Sequence, residues 1–444
     1  MHNADSQGIR NDRLPADPQA AYEVICVCRG CGFPYGAGDP PRIIYVGKAL
    51  TKAGVGFRVL HCGPSPIAAN KATSGVHEGI RYSYTTFTTK RPSNRILRYL
   101  LYAWSIAILM GRLAAVFPAR RRTCVYIYIQ SGPIGILTAA LSRILGIPVV
   151  QEVNEWWPGT DAPDASRFTD WLYSGPMFSL SDGALVISTL IEERVRAAAQ
   201  RLKRPLLIQR TPILVDVADF HPVKPAAALP KESIPQFVWC GGVAAYPQDI
   251  DFMIRALARV VQSGVRCQLT IVGGVREDAR RRVLEYARSY NVAESVVLTG
   301  FVDDDQLGAL YQSAAALLLP LFDDDRSRTR MPTKLGGYLA SGTPVITCNV
   351  GDLTHLLSHK QNAYIGPAGN EDVFAENMCS VLSDPVAARR IGAAGRRVCE
   401  AEIHYEVHSA RLADFFVACV QARQLKNALQ DGVAGRQRAA QSHR

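Results

Sequence analysis

The sequence predicts an α/β protein made of two doubly wound domains that face each other across a cleft. Short apolar strands alternate with amphipathic helices in two successive series, one before and one after residue 220. Residues 221–235 are rich in proline and alanine, which is typical of a linker between the two series. Because ligands of such sheets bind beyond the carboxyl ends of the strands, the cleft is the expected site.

Composition limits the classes of function. The chain has 444 residues, 48% hydrophobic and 20% charged, which is typical of a globular protein of two or three domains. The net charge of +11 favours an anionic partner such as a nucleotide phosphate or an acidic lipid. Nucleic acid is not expected, because the positive charge is dispersed and no recognition motif accompanies it. The polar amino terminus lacks an apolar signal core, so a reducing cytosol is predicted.

Three of the eleven cysteines lie close together in the sequence. Cys26, Cys28 and Cys31 are near enough to suggest a metal site, but Cys26 and Cys28 alternate within an apolar strand. No second cluster with metal-ligand spacing follows in the sequence. We therefore expect these cysteines to be core residues, and we expect no metal.

The longest apolar segment covers residues 96–117. Its uninterrupted apolar part, residues 99–110, is shorter than the about 20 residues that a membrane-spanning helix needs. A buried helix is favoured, with an interfacial helix that dips into a bilayer as the alternative. The alternative is supported by flanking cations, which are Lys90, Arg91, Arg95, Arg120, Arg121 and Arg122.

The first series, residues 21–220, forms an N-terminal domain after a disordered lead at residues 1–20. A strand at 22–28 is followed by a loop with Gly36 and Gly38, and then by a helix at 42–53. Glycines let a backbone approach a ligand closely, but no GxGxxG motif is present. A ligand-binding loop and a plain turn therefore both remain open.

Two carboxylates mark the end of a later strand of this domain, predicted at residues 149–153. Glu152 and Glu155 lie at its carboxyl end, where chemistry is usually placed. They are candidate acceptor-binding or acid–base groups. The alternative is that one of them caps the following segment.

The second series, residues 236–405, forms a C-terminal domain, and residues 317–347 are its most informative stretch. A buried strand is followed by a charged loop, a short helix and another strand. Pro332 can open the helix, and Gly342 with Pro344 ends it. We interpret the loop and the helix start as an anion site. Residues 406–425 are expected to form a helix that crosses back, and residues 426–444 a basic disordered tail that can touch a membrane surface.

Five segments of the C-terminal domain carry a family resemblance. They are Gly241-Gly242, LTIVGG at 269–274, TGFV at 299–302, PTKL at 332–335 and YLASGTPVI at 338–346. Their order and spacing resemble the retaining glycosyltransferases of family 4, which have the GT-B architecture of two Rossmann-like domains. The resemblance covers roughly residues 22–415 and implies transfer of a sugar from a nucleoside-diphosphate sugar to an acceptor hydroxyl with retention.

The resemblance, together with the charged residues of the loop and the carboxylates at the strand end, gives the predicted site residues and partners. Donor-side residues are Gly241, Gly242, Gly273, Gly300, Phe301, Val302, Asp325, Arg326, Lys334, Leu335 and Gly336. Acceptor-side residues are Gly36, Gly38, Glu152 and Glu155, and catalytic candidates are Lys334, Arg330 and Glu155. No cofactor or metal is implied. The expected partners are a nucleotide-sugar donor and a sugar or lipid-linked acceptor, in the cytoplasm or on the inner face of the cell membrane.

Four side chains of the family's donor site are missing. Its Arg and Lys align with Val243 and Gln248, and its paired Glu residues align with Thr329 and Gly337. One explanation, which we favour, is that Lys334 and the loop arginines replace them, since guanidinium groups bind phosphate well. These arginines are Arg326, Arg328 and Arg330.

Three alternatives to this explanation stay open. The loop arginines can instead be solvated and paired with Asp323, Asp324 and Asp325. The fold can persist in a non-catalytic binding subunit, which the missing side chains support. A nucleotide-sugar 2-epimerase is the third alternative, although the segments at 332–335 and 338–346 argue against it.

Overall fold

The computed structural model of the protein describes residues 20–36, 38–65, 67–128, 133–156, 173–220 and 234–441. The predicted lead and nearly all of the predicted linker lie outside these residues. Two sheets form the two halves of the chain, with eight strands in the first and six in the second. Helices alternate with the strands in both halves, so the predicted α/β fold class is confirmed.

The N-terminal sheet is parallel except at one edge. Its order is β3-β4-β2-β1-β5-β6-β7-β8, and only β3 runs antiparallel to its neighbour. The strands are β1 Glu23–Cys28, β2 Gly56–His61, β3 Ser74–His77, β4 Ile80–Tyr84, β5 Thr123–Tyr128, β6 Val149–Val153, β7 Gly183–Val186 and β8 Leu207–Arg210. The β3–β4 hairpin was not predicted. Its two turn residues, Glu78 and Gly79, have φ of 47° and 78°, which is the backbone that a tight hairpin requires.

Helices cover both faces of this sheet. They are α1 Asp39–Lys52, α2 Arg95–Ala114, α3 Pro133–Ile144 and α4 Thr189–Arg201. Every residue of β1 is buried, as expected for a central parallel strand. Helix α1 begins directly after Gly38 and buries Ile43, Val46 and Leu50 at helical spacing. The amino end of α1 is thereby held at the carboxyl edge of the sheet.

Helix α2 packs by one face only. Its buried residues recur every four positions, at Leu101, Ser105, Leu109 and Leu113. The opposite face is apolar and exposed, so the prediction of a buried helix holds for one face of it. Among the described residues it is the one helix that is long and apolar enough to cross a membrane by length and composition, with 22% of its most apolar window buried.

The C-terminal sheet is fully parallel, with the order β11-β10-β9-β12-β13-β14. Its strands are β9 Gln236–Cys240, β10 Gln268–Val272, β11 Val296–Gly300, β12 Ala316–Leu319, β13 Val345–Cys348 and β14 Tyr364–Gly366. This is the Rossmann order, in which the direction of winding reverses between the first and fourth strands. The reversal leaves a crevice at the carboxyl ends of β9 and β12.

Helices of the C-terminal domain place the charged loop beside this crevice. They are α5 Pro247–Gln262, α6 Glu277–Ser289, α7 Asp304–Ser313, α8 Asp325–Thr329, α9 Lys334–Ser341, α10 Glu371–Ser383 and α11 Pro385–Glu402. The predicted charged loop contains α8, which was not predicted. Asp324 caps α8 by accepting a hydrogen bond from the Ser327 amide at 2.6 Å. Gly342 ends α9 in the left-handed conformation, with φ of 74°, as predicted.

The last helix, α12 Ser409–Gln441, packs on the N-terminal domain. Its apolar side chains, such as Leu412 and Phe416, join the core beneath β1 and β5. Arg423 also pairs with buried Asp182, at 2.7 Å from Nη2 to Oδ2. These anchors support a helix that continues to Gln441, whereas a disordered tail from residue 426 was predicted.

The two domains also meet beside the crevice. The Ser188 hydroxyl donates to the Thr329 carbonyl at 2.5 Å. The Thr189 amide donates to Asp352 at 2.9 Å. Since both contacts join the start of α4 to segments that follow strands of the C-terminal sheet, namely α8 and the loop after β13, they fix the distance between the two walls of the cleft.

Candidate active site

A cleft lies between the carboxyl ends of the two sheets. From the N-terminal domain it is lined by Gly38, Asp39, Arg42, Tyr128, Asn154, Glu155 and Ile187. From the C-terminal domain it is lined by Tyr246, Asp249, Leu319, Pro320, Leu321, Arg330, Met331, Pro332, Thr333 and Lys334. This set brings together Gly38, Glu155, Arg330 and Lys334, which the sequence predicted.

Lys334 is the first residue of α9, and its ammonium group is buried in the C-terminal wall. Nζ lies 4.1 Å from the ring centroid of Trp239 and 5.0 Å from that of Tyr246. It has no hydrogen-bond partner among the described residues. Burial lowers the pKa of Lys334 to about 8, although the negative charge of Asp249 acts in the opposite direction and raises it. A buried cation without a partner is costly and is best explained by an anion that binds there.

Gly241 makes this arrangement possible. A Cβ at this position would lie 2.7 Å from the Trp239 ring and 3.1 Å from Lys334 Nζ. Gly273 is equally constrained, because its Cβ would overlap the Gly241 carbonyl oxygen. The two glycines therefore serve close packing behind Lys334, and neither is among the residues that line the cleft.

Two arginines extend the positive wall. The guanidinium carbons of Arg326 and Arg330 lie 5.6 Å and 5.5 Å from the ring centroid of Tyr246. Neither forms an ion pair in the part of the chain that the structure describes, and Arg330 Nε is buried without a partner. Together with Lys334 they surround Tyr246 with three cations.

Asp249 is the carboxylate whose charge acts most strongly on Lys334. It lies in the first turn of α5 and is buried. Burial raises its pKa, whereas the charges of Lys334, Arg330 and Arg326 lower it. No resemblance pointed to Asp249, since the family's Lys aligns with its neighbour Gln248.

The other charges of the loop are paired. Arg328 Nε lies 2.7 Å from Asp323 Oδ1 at the surface. Both oxygens of Asp325 are held by Arg194 of the N-terminal domain, at 2.5 and 2.9 Å. Asp325 was predicted on the donor side, and the structure instead gives it the role of joining the two domains. Arg328 is thus paired and exposed, as the alternative of a solvated loop expects. Arg326 is exposed without an ion pair among the described residues, and Arg330 is half-buried.

Three of the four departures from the family pattern have structural causes. Val243 and Thr329 are buried, at 2% and 1% exposure, so neither position presents a side chain to the cleft. A Cβ at Gly337 would lie 2.9 Å from the Phe220 ring, which occupies the space of a larger side chain. Gln248 is exposed in the first turn of α5.

Several predicted donor residues lie outside the cleft lining. Leu335 is a core residue, and Gly336 packs against Val215, whose Cβ would be 3.2 Å from a Cβ at Gly336. Both were assigned to the donor side from the resemblance, and packing accounts for both. Five others also lie outside this lining, namely Arg326 in α8, Gly242 after β9, Gly300 at the end of β11, and Phe301 and Val302 directly after β11. Phe301 is 88% exposed, so its ring is free to meet a ligand.

The two predicted N-terminal carboxylates differ. Glu155 lines the cleft. Burial raises its pKa, whereas the positive charges of Arg326 and Arg330 lower it by less. Glu152 is buried, 3.2 Å from Arg42 Nε, and its second oxygen accepts a hydrogen bond from the Tyr126 hydroxyl. The prediction of Glu152 as an acceptor-side group is therefore corrected, because both of its oxygens are used within the core.

A polar chain of three residues on the N-terminal wall was not predicted. Asn154 Nδ2 donates to the Tyr128 hydroxyl at 2.7 Å, and that hydroxyl donates to Asp39 Oδ1 at 3.1 Å. Burial raises the pKa of Asp39 to about 6, and Cys31 acts in the same direction. The position of Asp39 directly after Gly38, in the loop that follows the first strand, is the sequence signal that could have marked it as a site residue. The turn before it is tight, since a Cβ at Gly36 would overlap the Cys31 carbonyl oxygen.

Sequence comparisons find a family model and several curated relatives. Residues 234–384 match the family model described as glycosyl transferases group 1. The chain is 29% identical over 143 residues to an uncharacterized glycosyltransferase of Methanocaldococcus jannaschii, covering 32% of this chain and 35% of that protein. It is 30% identical over 173 residues to a GDP-mannose-dependent alpha-(1-6)-phosphatidylinositol monomannoside mannosyltransferase of Mycobacterium tuberculosis, covering 37% and 43%. The chain spans less than half the length of these curated relatives.

Structural comparisons concern both domains. A sucrose-phosphate synthase of Thermosynechococcus elongatus superposes with a TM-score of 0.67 at 19% identity, covering 91% of this chain and 100% of that one. The Anabaena protein HepE in complex with UDP-glucose superposes with a TM-score of 0.63 at 13% identity, covering 89% and 99%. These likenesses define the class of fold as GT-B. Within it, the C-terminal domain is similar to the group 1 glycosyltransferases.

Proposed function

We propose that the protein is a retaining glycosyltransferase that moves a sugar from a nucleoside-diphosphate sugar to an acceptor hydroxyl. The observation that carries the proposal is the buried, unpartnered ammonium of Lys334 at the amino end of α9. It lies in the crevice where the winding of the C-terminal sheet reverses. A diphosphate is the anion that fits a cation and a helix amino end in such a crevice.

The reaction makes a specific demand on this wall. The bond between the anomeric carbon and the diphosphate oxygen breaks, and negative charge grows on the diphosphate as the acceptor oxygen bonds to that carbon. The proton of the acceptor hydroxyl passes to a base, for which Asp39 on the opposite wall is the candidate. Cations fixed in a water-poor cleft stabilise this charge more in the transition state than in the ground state. Arg326 and Arg330 stand beside Lys334 on the same wall and supply the charge that Val243 and Gln248 lack.

The opposite wall supplies groups for the acceptor. Asp39 and Glu155 line the cleft from the N-terminal domain, and Tyr128 holds one oxygen of Asp39. A carboxylate can accept a hydrogen bond from a sugar hydroxyl and orient it toward the donor. We assign the acceptor to this side and the donor to the C-terminal side. The Anabaena relative in complex with UDP-glucose and the GDP-mannose-dependent relative support a nucleotide-sugar donor.

A nucleotide screen tests the proposal. We expect at least one of UDP, GDP and ADP to raise the melting temperature in the presence of a chelator. Saturation at about one hundred times Kd stabilises the folded state by about 2.7 kcal/mol. The corresponding nucleoside, which lacks the diphosphate, is the control. Mass spectrometry of the matching nucleotide sugar with a membrane extract should then show sugar transfer.

The same screen separates the alternatives. Stabilisation by a nucleotide without any turnover would indicate a non-catalytic binding subunit. An altered sugar formed without acceptor would indicate a 2-epimerase. If no nucleotide stabilises the protein, the donor site assigned around Lys334 is wrong.

We also propose that the enzyme works at the cytoplasmic surface of an anionic membrane. Between Glu78 and Glu152 the sequence has no aspartate or glutamate. Helix α2 lies within this segment and exposes Ile96, Leu100 and Trp104 at 71%, 62% and 53%. Exposed cations adjoin this face, namely Lys90, Arg91 and Arg95. An apolar face next to cations is the pattern of an interfacial helix.

Vesicle binding tests the membrane proposal. We expect the protein to sediment with vesicles that contain anionic lipid, and to do so less at high salt. Leu100→Asp should weaken the binding about tenfold or more, because a charge replaces a buried apolar side chain at the interface. Val386→Asp is the matched control, since Val386 is 78% exposed at the start of α11. Equal binding of both variants would contradict the assignment of α2.

A further inference from the structure

A second cluster of reactive side chains lies in the N-terminal domain. Cys28 ends β1, Cys31 lies three residues later in the loop, and His61 ends β2. Their ligand atoms lie within 4.8 Å of one another. All three residues are buried, at 0%, 8% and 0% exposure. Cys28 and His61 are direct partners in the register of the two parallel strands, so the sheet itself brings them together.

The imidazole of His61 has one ring nitrogen, Nε2, that is available to coordinate a ligand. Its Nδ1 lies 3.0 Å from the Gly63 carbonyl oxygen, to which it can donate. In that tautomer Nε2 carries a free lone pair, and Nε2 is buried without a hydrogen-bond partner among the described residues. The ring of Tyr84 lies against the imidazole, with 4.3 Å between centroids, and fixes its plane. A metal-bound histidine is typically held by a backbone carbonyl in this way.

We propose that Cys28, Cys31 and His61 bind a transition-metal ion, with Zn²⁺ as the best fit. Two thiolates and one imidazole are soft and borderline ligands of the kind that zinc prefers. In a tetrahedral site with Zn–S bonds of about 2.3 Å, two sulfurs stand roughly 3.8 Å apart. The 4.8 Å limit on the three ligand atoms allows this with a small inward shift. Water or a small anion would take the fourth position.

The proposal goes beyond sugar transfer and adds a role to cysteines that the sequence analysis expected to be core residues, which they also are. The sequence showed a Cys28-x-x-Cys31 pair without a second cluster, because the third ligand comes from the next strand of the sheet. The ion would lie beneath the loop that leads from β1 to α1. Since Cys31 contacts Gly36 in that loop through its carbonyl oxygen, the ion would hold in place the turn that carries Asp39.

Metal analysis of the full chain tests the proposal. Protein purified without chelator should contain close to one zinc per chain. After exchange into Co²⁺ it should show the sulfur-to-cobalt absorption of a thiolate site. The metal content per chain should fall at least tenfold in Cys31→Ala and in His61→Ala. Cys26→Ala is the matched control, since Cys26 lies on the same strand and in the same core cluster but outside the three ligands.

Two outcomes would overturn the proposal. One is a wild-type protein that contains less than a tenth of an equivalent of metal and shows no cobalt–thiolate absorption. The other is a metal content that stays unchanged in both Cys31→Ala and His61→Ala. If these variants do not fold, the wild-type cobalt spectrum and its loss on chelation decide the matter alone.

Discussion

Lys334→Met is expected to lower kcat/KM for sugar transfer by about 10²–10³, the range seen when one charge-stabilising donor is removed from an active site. Methionine keeps an unbranched side chain between Trp239 and Tyr246, so the packing of α9 should survive. The lost group is the buried ammonium that meets the departing diphosphate. Initial rates with the donor identified in the nucleotide screen measure the effect.

The control for this variant comes from the same loop. Arg328→Ala removes a guanidinium that is exposed and paired with Asp323 at the surface. It should change kcat/KM by less than about twofold, because an exposed pair contributes little. Equal losses in the two variants would show that general loop charge, and not the position of Lys334, governs the reaction.

The pH dependence of donor use gives a second test of Lys334. Its pKa is lowered to about 8 by burial, so the ammonium loses its proton as pH rises through that value. A diphosphate binds the charged form, and kcat/KM for the donor should therefore fall above about pH 8. In Lys334→Met this descending limb should disappear. A wild-type kcat/KM that stays constant up to pH 9 would show that Lys334 does not bind the donor diphosphate.

The general fold and one wall of the cleft were predictable from the sequence. Periodic strands and helices in two series gave the two domains, and the segment from Pro332 to Gly342 gave the start and the end of α9. The helix start could be predicted because a helix that begins after a parallel strand faces the crevice whatever surrounds it, and the family resemblance then pointed to Lys334 there. The role of a residue can be predicted from the sequence when it depends only on the position of that residue along a strand or helix.

Residues whose role depends on a distant partner were not visible. Asp325 and Glu152 carry the charge that a site requires, but Arg194 and Arg42 neutralise them from more than one hundred residues away. His61 was equally hidden, because its neighbour Cys28 is set by strand register. Tertiary pairing decides whether a carboxylate serves chemistry or packing, and a single sequence does not contain it.

Asp39 is the residue on the acceptor wall from which we expect the second large effect. Asp39→Asn should lower kcat/KM for the acceptor by about 10²–10⁴, the usual contribution of a group that takes part in proton transfer. In the wild type the rate should rise with pH through about 6, as the carboxyl whose pKa is raised by burial becomes charged. The asparagine variant should lack this rise. Rates at saturating donor across pH 5–8 measure both effects.

Stability should change in the opposite direction in the same variant. The pKa of Asp39 is about 6 in the folded state against an ordinary value of 3.8, so folding favours the protonated form. The wild type therefore loses stability as pH rises from about 4 to 6, whereas the asparagine variant does not. The melting temperature of Asp39→Asn should exceed that of the wild type by an amount that grows over this interval and then stays constant.

Asp219→Asn separates the two effects. Partial desolvation also raises the pKa of Asp219, although this residue is more exposed than Asp39. Asp219 accepts a hydrogen bond from the Tyr45 hydroxyl at 3.0 Å and is not among the residues that line the cleft. Its replacement should shift stability in the same sense and leave kcat/KM unchanged. If Asp39→Asn behaves in the same way, its carboxyl is a structural group whose burial is costly, and the acceptor must be oriented by Glu155 instead. A loss of activity together with a gain in stability in Asp39→Asn alone is what a group held under strain for catalysis produces.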